Sequence, residues 1–136
     1  MGTLTAAPTS RQGVDAGRAI QAIGAFRAFG GATFWIAPDL TARTYGSGPV
    51  ARDRLSARLA GAREVALALG PLLSDGDDRS RWLRLGLACD LADALATLIG
   101  RRRGEIPPAT AALCFVTYTA SVVLTVAALR SDARVR

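Results

Sequence analysis

ATAALCFVTYTASVVLTVAAL, residues 109–129, runs for 21 residues without a charged side chain. As an α-helix rising 1.5 Å per residue it is about 30 Å long, the thickness of the hydrocarbon core of a bilayer. Pro107 and Pro108 stand just before it, where proline suits a helix start, and Arg130, Arg134 and Arg136 follow as headgroup anchors. The stretch predicts a membrane-spanning helix. The competing reading, the core helix of a soluble domain, asks the rest of a short chain to cover an apolar cylinder on every side, which three short helices cannot easily do.

Working outward, three further segments have bilayer length but contain ionisable residues: 17–37, 55–73 and 82–100. Trp35 and Trp82 lie near segment ends, as in an interfacial aromatic belt. Turn chemistry separates the segments: Gly46-Ser47-Gly48-Pro49, then Asp75-Gly76-Asp77-Asp78, then residues 101–108. Short connections make neighbours antiparallel and leave no room for a second domain. The expected fold is all-α, an antiparallel four-helix transmembrane bundle over 17–130. A disordered tail is expected over 1–16, which is too polar for a secretory signal, and a basic tail over 131–136.

Composition supports this. Half of the 136 residues are hydrophobic and few are aromatic. All 17 basic residues are arginine, which suggests a bacterial gene of high GC content. The net charge of +6 comes from arginines scattered through every connection, with no basic stripe interleaved with aromatics. That distribution suits anionic lipid headgroups and excludes a nucleic-acid footprint. The absence of histidine removes the commonest metal ligand and the usual base of hydrolytic triads, so no metal and no cofactor are expected. Acid/base chemistry would fall to carboxylates, tyrosine or cysteine.

Cys89 and Cys114 are too few and too far apart for a redox or zinc motif, and each sits in an apolar helix as a small hydrophobe. In antiparallel helices their depths differ by about 9 Å, beyond the reach of a disulfide. Arginines are split almost evenly between the two sides, so charge does not orient the chain. An untranslocated N-terminal tail needs no signal, which favours both termini in the cytoplasm and a multi-pass location in the cytoplasmic membrane.

The informative residues are the charges inside the segments. The midpoints of the first three segments fall at 27, 64 and 91, and helix midpoints share one depth whichever way the helices run. Arg27, Glu64 and Asp90 are therefore predicted to meet near the bilayer centre, with Arg63 and Asp93 within about one turn. A lone charge there costs about 2.5 to 3.5 kcal/mol, so these five should face one another. Small residues flank them: Ala57, Gly61 and Ala68 near Glu64, Gly86 and Ala94 beside Asp90, Gly24 and Gly31 beside Arg27. Such residues let helices approach closely around a polar centre.

Two arginines against three carboxylates leave a residual charge of minus one. One acid held protonated, or two sharing a proton, would resolve it and would supply an acid at neutral pH. Glu64, Asp90 and Asp93 are thus the candidate catalytic residues, and Arg27, Arg63 and Tyr118 the candidate ligand-binding residues. Tyr118 reads as packing with a bonded hydroxyl more than as a catalyst. The bland reading of the cluster is a polar clamp that fixes helix packing.

RLAGAREVALALG (58–70) and RWLRLGLACDLADALATL (81–98), after an arginine-bearing helix ending in Ala-Pro, resemble a family of small uncharacterised membrane proteins of actinobacteria. The shared pattern is an arginine in helix one, matched by Arg27; Gly-x-Arg-[Asp/Glu], matched by Gly61, Arg63 and Glu64; and Asp-x-x-Asp, matched by Asp90 and Asp93. The resemblance covers about residues 18–130. It implies a four-helix membrane protein and supplies no activity.

Two functions follow from these readings. The first is a membrane pocket for a lipophilic small molecule, with metal-independent acid/base isomerisation or cyclisation as its chemistry. The second is a non-catalytic subunit of a homo-oligomer or larger membrane complex, in which the cluster only fixes the bundle.

Overall fold

The computed structural model describes residues 10–45 and 50–135, and these form five helices: α1 (Ser10–Ile36), α2 (Pro38–Tyr45), α3 (Val50–Leu73), α4 (Gly76–Arg102) and α5 (Pro108–Val135). The chain is an all-α bundle of five helices rather than four. Among the described residues one helix, over Pro108–Arg134, is long and apolar enough to cross a membrane.

The additional helix lies in what the sequence predicts to be a connection. Ala37 alone separates α1 from α2, and its carbonyl accepts from the amides of Leu40 and Thr41. Pro38, which has no amide hydrogen, ends α1 and starts α2, and Asp39 places negative charge in the new first turn. An exposed ion pair between Asp39 and Arg54 ties α2 to α3. The expected turn Gly46-Ser47-Gly48-Pro49 lies outside the described residues.

Helix ends also differ from expectation. α1 begins at Ser10, so residues 10–16 are helical where a disordered tail is expected, and residues 1–9 lie outside the described residues. α3 begins at Val50. Only Ser74 and Asp75 separate α3 from α4, because Gly76, at φ +53, opens α4 and Asp77 and Asp78 fill its first turn. α5 continues through the expected basic tail to Val135. In each case charged residues extend the helix beyond its apolar span, since arginine and the acids tolerate helix geometry as well as many apolar residues do.

The four long helices run up, down, up, down. Gly24 meets Leu72 and Gly31 meets Gly61, which fixes α1 antiparallel to α3. Ser80 bonds Asp132 and Ser121 bonds Asp90, which fixes α4 antiparallel to α5. Contacts of α1 with α5 and of α3 with α4 close the ring. α1 and α4 therefore run parallel across its diagonal.

One half of the bundle is packed. Ile20 and Ile23 of α1, Leu83 of α4 and Ala128 of α5 form a buried cluster, flanked by Ala19, Leu124 and Leu129. Beyond it Arg79 joins three helices: Nε donates to the carbonyls of Pro71 and Ser74, Nη2 donates to Asp75, and Nη1 lies 3.6 Å from Asp132.

Elsewhere the interior carries polar groups, and the exterior mixes large apolar side chains with the exposed Arg58 and Arg84. Along α5 the buried face reads Thr110, Ser121, Thr125, Ala128 and Asp132, with Cys114, Thr117 and Tyr118 half-buried between them, a spacing of three and four. Val116 and Val123 point outward, and only 22% of the most apolar stretch of α5 is buried. Large exposed side chains occur on every helix, among them Phe29, Ile36, Leu40, Leu59, Leu73, Leu91 and Leu95.

Candidate functional site

The site begins with a crossing of two glycines. A Cβ on Gly31 would lie 2.8 Å from the carbonyl oxygen of Gly61, and one on Gly61 would lie 2.6 Å from that of Gly31. The backbones of α1 and α3 therefore touch, which no larger residue permits. Arg27 lies one turn before Gly31 and Glu64 one turn after Gly61, so the antiparallel crossing sets them level.

From α1 the Arg27 guanidinium crosses the bundle. Nη1 donates to Oε2 of Glu64 and Nη2 to Oδ2 of Asp90, each at 2.6 Å. Gly86, one turn before Asp90 on α4, makes the space: a Cβ there would stand 3.1 Å from Nη2 of Arg27. The Ser121 hydroxyl, from α5, donates to the same Asp90 oxygen at 2.8 Å. On the other side Arg63 bonds Asp93 twice, Nη1 to Oδ1 at 3.1 Å and Nη2 to Oδ2 at 2.5 Å, while Nη2 also lies 3.3 Å from Oε1 of Glu64.

The five side chains form one row of alternating sign: Asp93, Arg63, Glu64, Arg27, Asp90, ending on Ser121. Arg27 and Asp90 are each 3% exposed, whereas the Arg63 side chain is 41% exposed. The row thus has a sealed end and an open end. At the sealed end charges are both desolvated and paired, and removing one partner of such a pair costs about 3 to 5 kcal/mol.

Beside the row lies a cavity of about 640 Å³. Its walls are mostly apolar: Phe26, Phe29, Gly30 and Phe34 from α1, Leu40 from α2, Ala60 from α3, and Val116 and Ala120 from α5. Tyr45 helps close it from α2, with its ring 5.4 Å from that of Phe34 and its hydroxyl 3.4 Å from Oγ1 of Thr117. The volume falls within the range of about 300 to 1,000 Å³ usual for small-molecule sites. No family model, curated protein or solved structure matches this chain.

All six residues singled out from the sequence, Arg27, Arg63, Glu64, Asp90, Asp93 and Tyr118, line this cavity. The structure joins the five charged ones in a single hydrogen-bonded row, and Tyr118 sits apart from it beside Thr97 and Cys114. Cys89 and Cys114 are free thiols, and only Cys114 faces the cavity. Among the described residues no group of three or more Cys, Asp and Glu is placed to hold a metal ion.

Sequence reading missed Ser121, Gly86 as the seat of Arg27, and the wall supplied by α2. Ser121 carried a signal, because Thr110, Cys114, Thr117, Ser121 and Thr125 repeat every three or four residues along an otherwise apolar helix. Pro38 followed by Asp39 was a signal for α2.

Proposed function

We propose that the chain is a small integral membrane protein whose cavity binds a lipophilic small molecule with its polar end against the Arg/Glu/Asp row. The observation that carries this reading is the cavity itself, with apolar walls that lead to a row of five charges running from the buried Arg27 and Asp90 to the exposed Arg63. The membrane assignment rests on the distribution of side chains. Arg27, Asp90 and several hydroxyl groups lie inside while many leucine, valine and phenylalanine side chains lie outside, which is costly in water and favourable in lipid, and the exposed Arg58 and Arg84 lie nearer the helix ends. A helix serving as a soluble core would be mostly buried, and α5 is not.

In this reading all four long helices cross the cytoplasmic membrane of a bacterium, with both termini in the cytoplasm. α1, α3 and α4 cross with their charges turned to the interior, in keeping with the resemblance of residues 58–70 and 81–98 to small membrane proteins of actinobacteria. Glu64, Asp90 and Asp93 are the groups that exchange a proton with the bound molecule, and Arg27 and Arg63 steady the charge that this leaves. Isomerisation or cyclisation needs no more than that.

A second reading is supported by the completeness of the pairing. Every charge in the row already has a partner, as a clamp in a non-catalytic subunit would require. Native mass spectrometry after mild detergent extraction separates the two. The pocket reading expects one chain, or a small homo-oligomer, carrying a retained small molecule. Stoichiometric partner proteins and no small molecule would contradict it.

A further inference from the structure

The cavity opens sideways. Phe29 and Val116 line it while remaining 78% and 67% exposed, so its mouth lies between α1 and α5, on the apolar flank of the bundle. Gly30 is at this mouth, and a Cβ placed on it meets nothing within 4 Å.

The row holds three carboxylates against two guanidiniums, an excess of one negative charge. Both terminal nitrogens of Arg27 and both of Arg63 already donate to those carboxylates. The hydroxyls of Thr33 and Thr44 donate back to the carbonyls of Phe29 and Leu40, which leaves their oxygens as acceptors at the cavity. An anionic head group would meet the negative balance of the row. A protonated amine would meet what it requires, since an ammonium has three donors and no acceptor.

Resting on the reading of the cavity as a lipophile pocket, we infer that its ligand is an amphiphile with an apolar tail and a protonated amine head, admitted from the bilayer between α1 and α5. The tail lies along Phe26, Phe29 and Phe34, and the ammonium lies at the open end of the row, near Glu64 and Asp93.

The test uses three probes of one tail length, dodecylamine, 1-dodecanol and dodecanoate, titrated below their micellar concentrations at pH 7 into the full chain in maltoside detergent. Binding is read from thermal unfolding and tryptophan fluorescence. Dodecylamine is expected to bind about tenfold more tightly than dodecanol, with dodecanoate weakest. Gly30→Phe is expected to melt like the parent chain without ligand and to lose the stabilisation by amine. Should it melt early, Val116→Trp on the opposite lip gives the same reading. Asp93→Asn should bring amine and alcohol to within about threefold of each other, because it removes the excess charge. Dodecanoate binding at least as tightly as the amine, or equal binding of amine and alcohol to the parent chain, overturns the head-group assignment and leaves the pocket standing. Failure of all three probes to bind, or indifference of all three to the mouth variants, overturns the pocket and this inference with it.

Discussion

The two halves of the bundle use the same four helices differently. Toward the α3–α4 connection, Ile20, Ile23, Leu83 and Ala128 fill the interior and Arg79 ties the ends of three helices. Toward α2, α1 and α5 part around a cavity, and the interior is a row of charges. Arg27 and Asp90 sit at the boundary, sealed on the packed side and joined to the open row on the other. Apolar packing is thus concentrated in one half and an unfilled, charged surface in the other, the division expected of a scaffold that positions a site.

Graded substitutions measure that division. The largest loss is expected for Arg27→Leu, which leaves Glu64 and Asp90 without their shared partner. Thermal or denaturant unfolding in detergent should show about 3 to 5 kcal/mol lost. An effect no larger than that of Arg63→Leu would show that the boundary is not sealed. Next comes Leu83→Ala, which opens a void in the packed cluster and should cost about 2 to 3 kcal/mol. Arg63→Leu removes a half-exposed group and should cost about 1 kcal/mol or less while weakening ligand retention, a separation the packed half should never show.

The smallest change has the opposite sign. Thr125 is 1% exposed and its hydroxyl has no hydrogen-bond partner among the described residues. Thr125→Val keeps the shape and removes the unmet group, so it should raise stability by up to about 1 kcal/mol. A drop would mean that the hydroxyl is bonded in the folded protein.

The meeting of Arg27 with Glu64 and Asp90 was legible in the sequence because it depends on depth alone, and depth follows from helix length and rise. The glycine crossing was legible for a related reason, since small residues beside a charge have few other uses in an apolar helix. The helix ends were not, because charged residues at 10–16, 50–54, 76–81 and 130–135 continue the helices where apolar periodicity has stopped. α2 escaped notice because the turn residues 46–49 drew the whole connection into a loop. The cavity could not be read from any pattern, because it is the space that side chains from five helices fail to fill. Ser121 hid in plain spacing, since the apolar composition of α5 concealed that its polar face is its inner one.

The carboxylates can be sorted by separate substitution. Glu64→Gln, Asp90→Asn and Asp93→Asn are each made and read for stability and for retained small molecule or product formed in cells. A variant that stays stable and loses activity marks the acid. Uniform destabilisation by all three favours the clamp.

The membrane reading requires that the apolar side chains on the exterior face lipid. Membranes from cells expressing the full chain, washed with high salt and then with alkaline carbonate, test this most directly. The protein is expected to remain entirely in the membrane pellet and to need detergent for release. Recovery of a monodisperse chain in the detergent-free supernatant would contradict a membrane-embedded bundle with its charges turned inward.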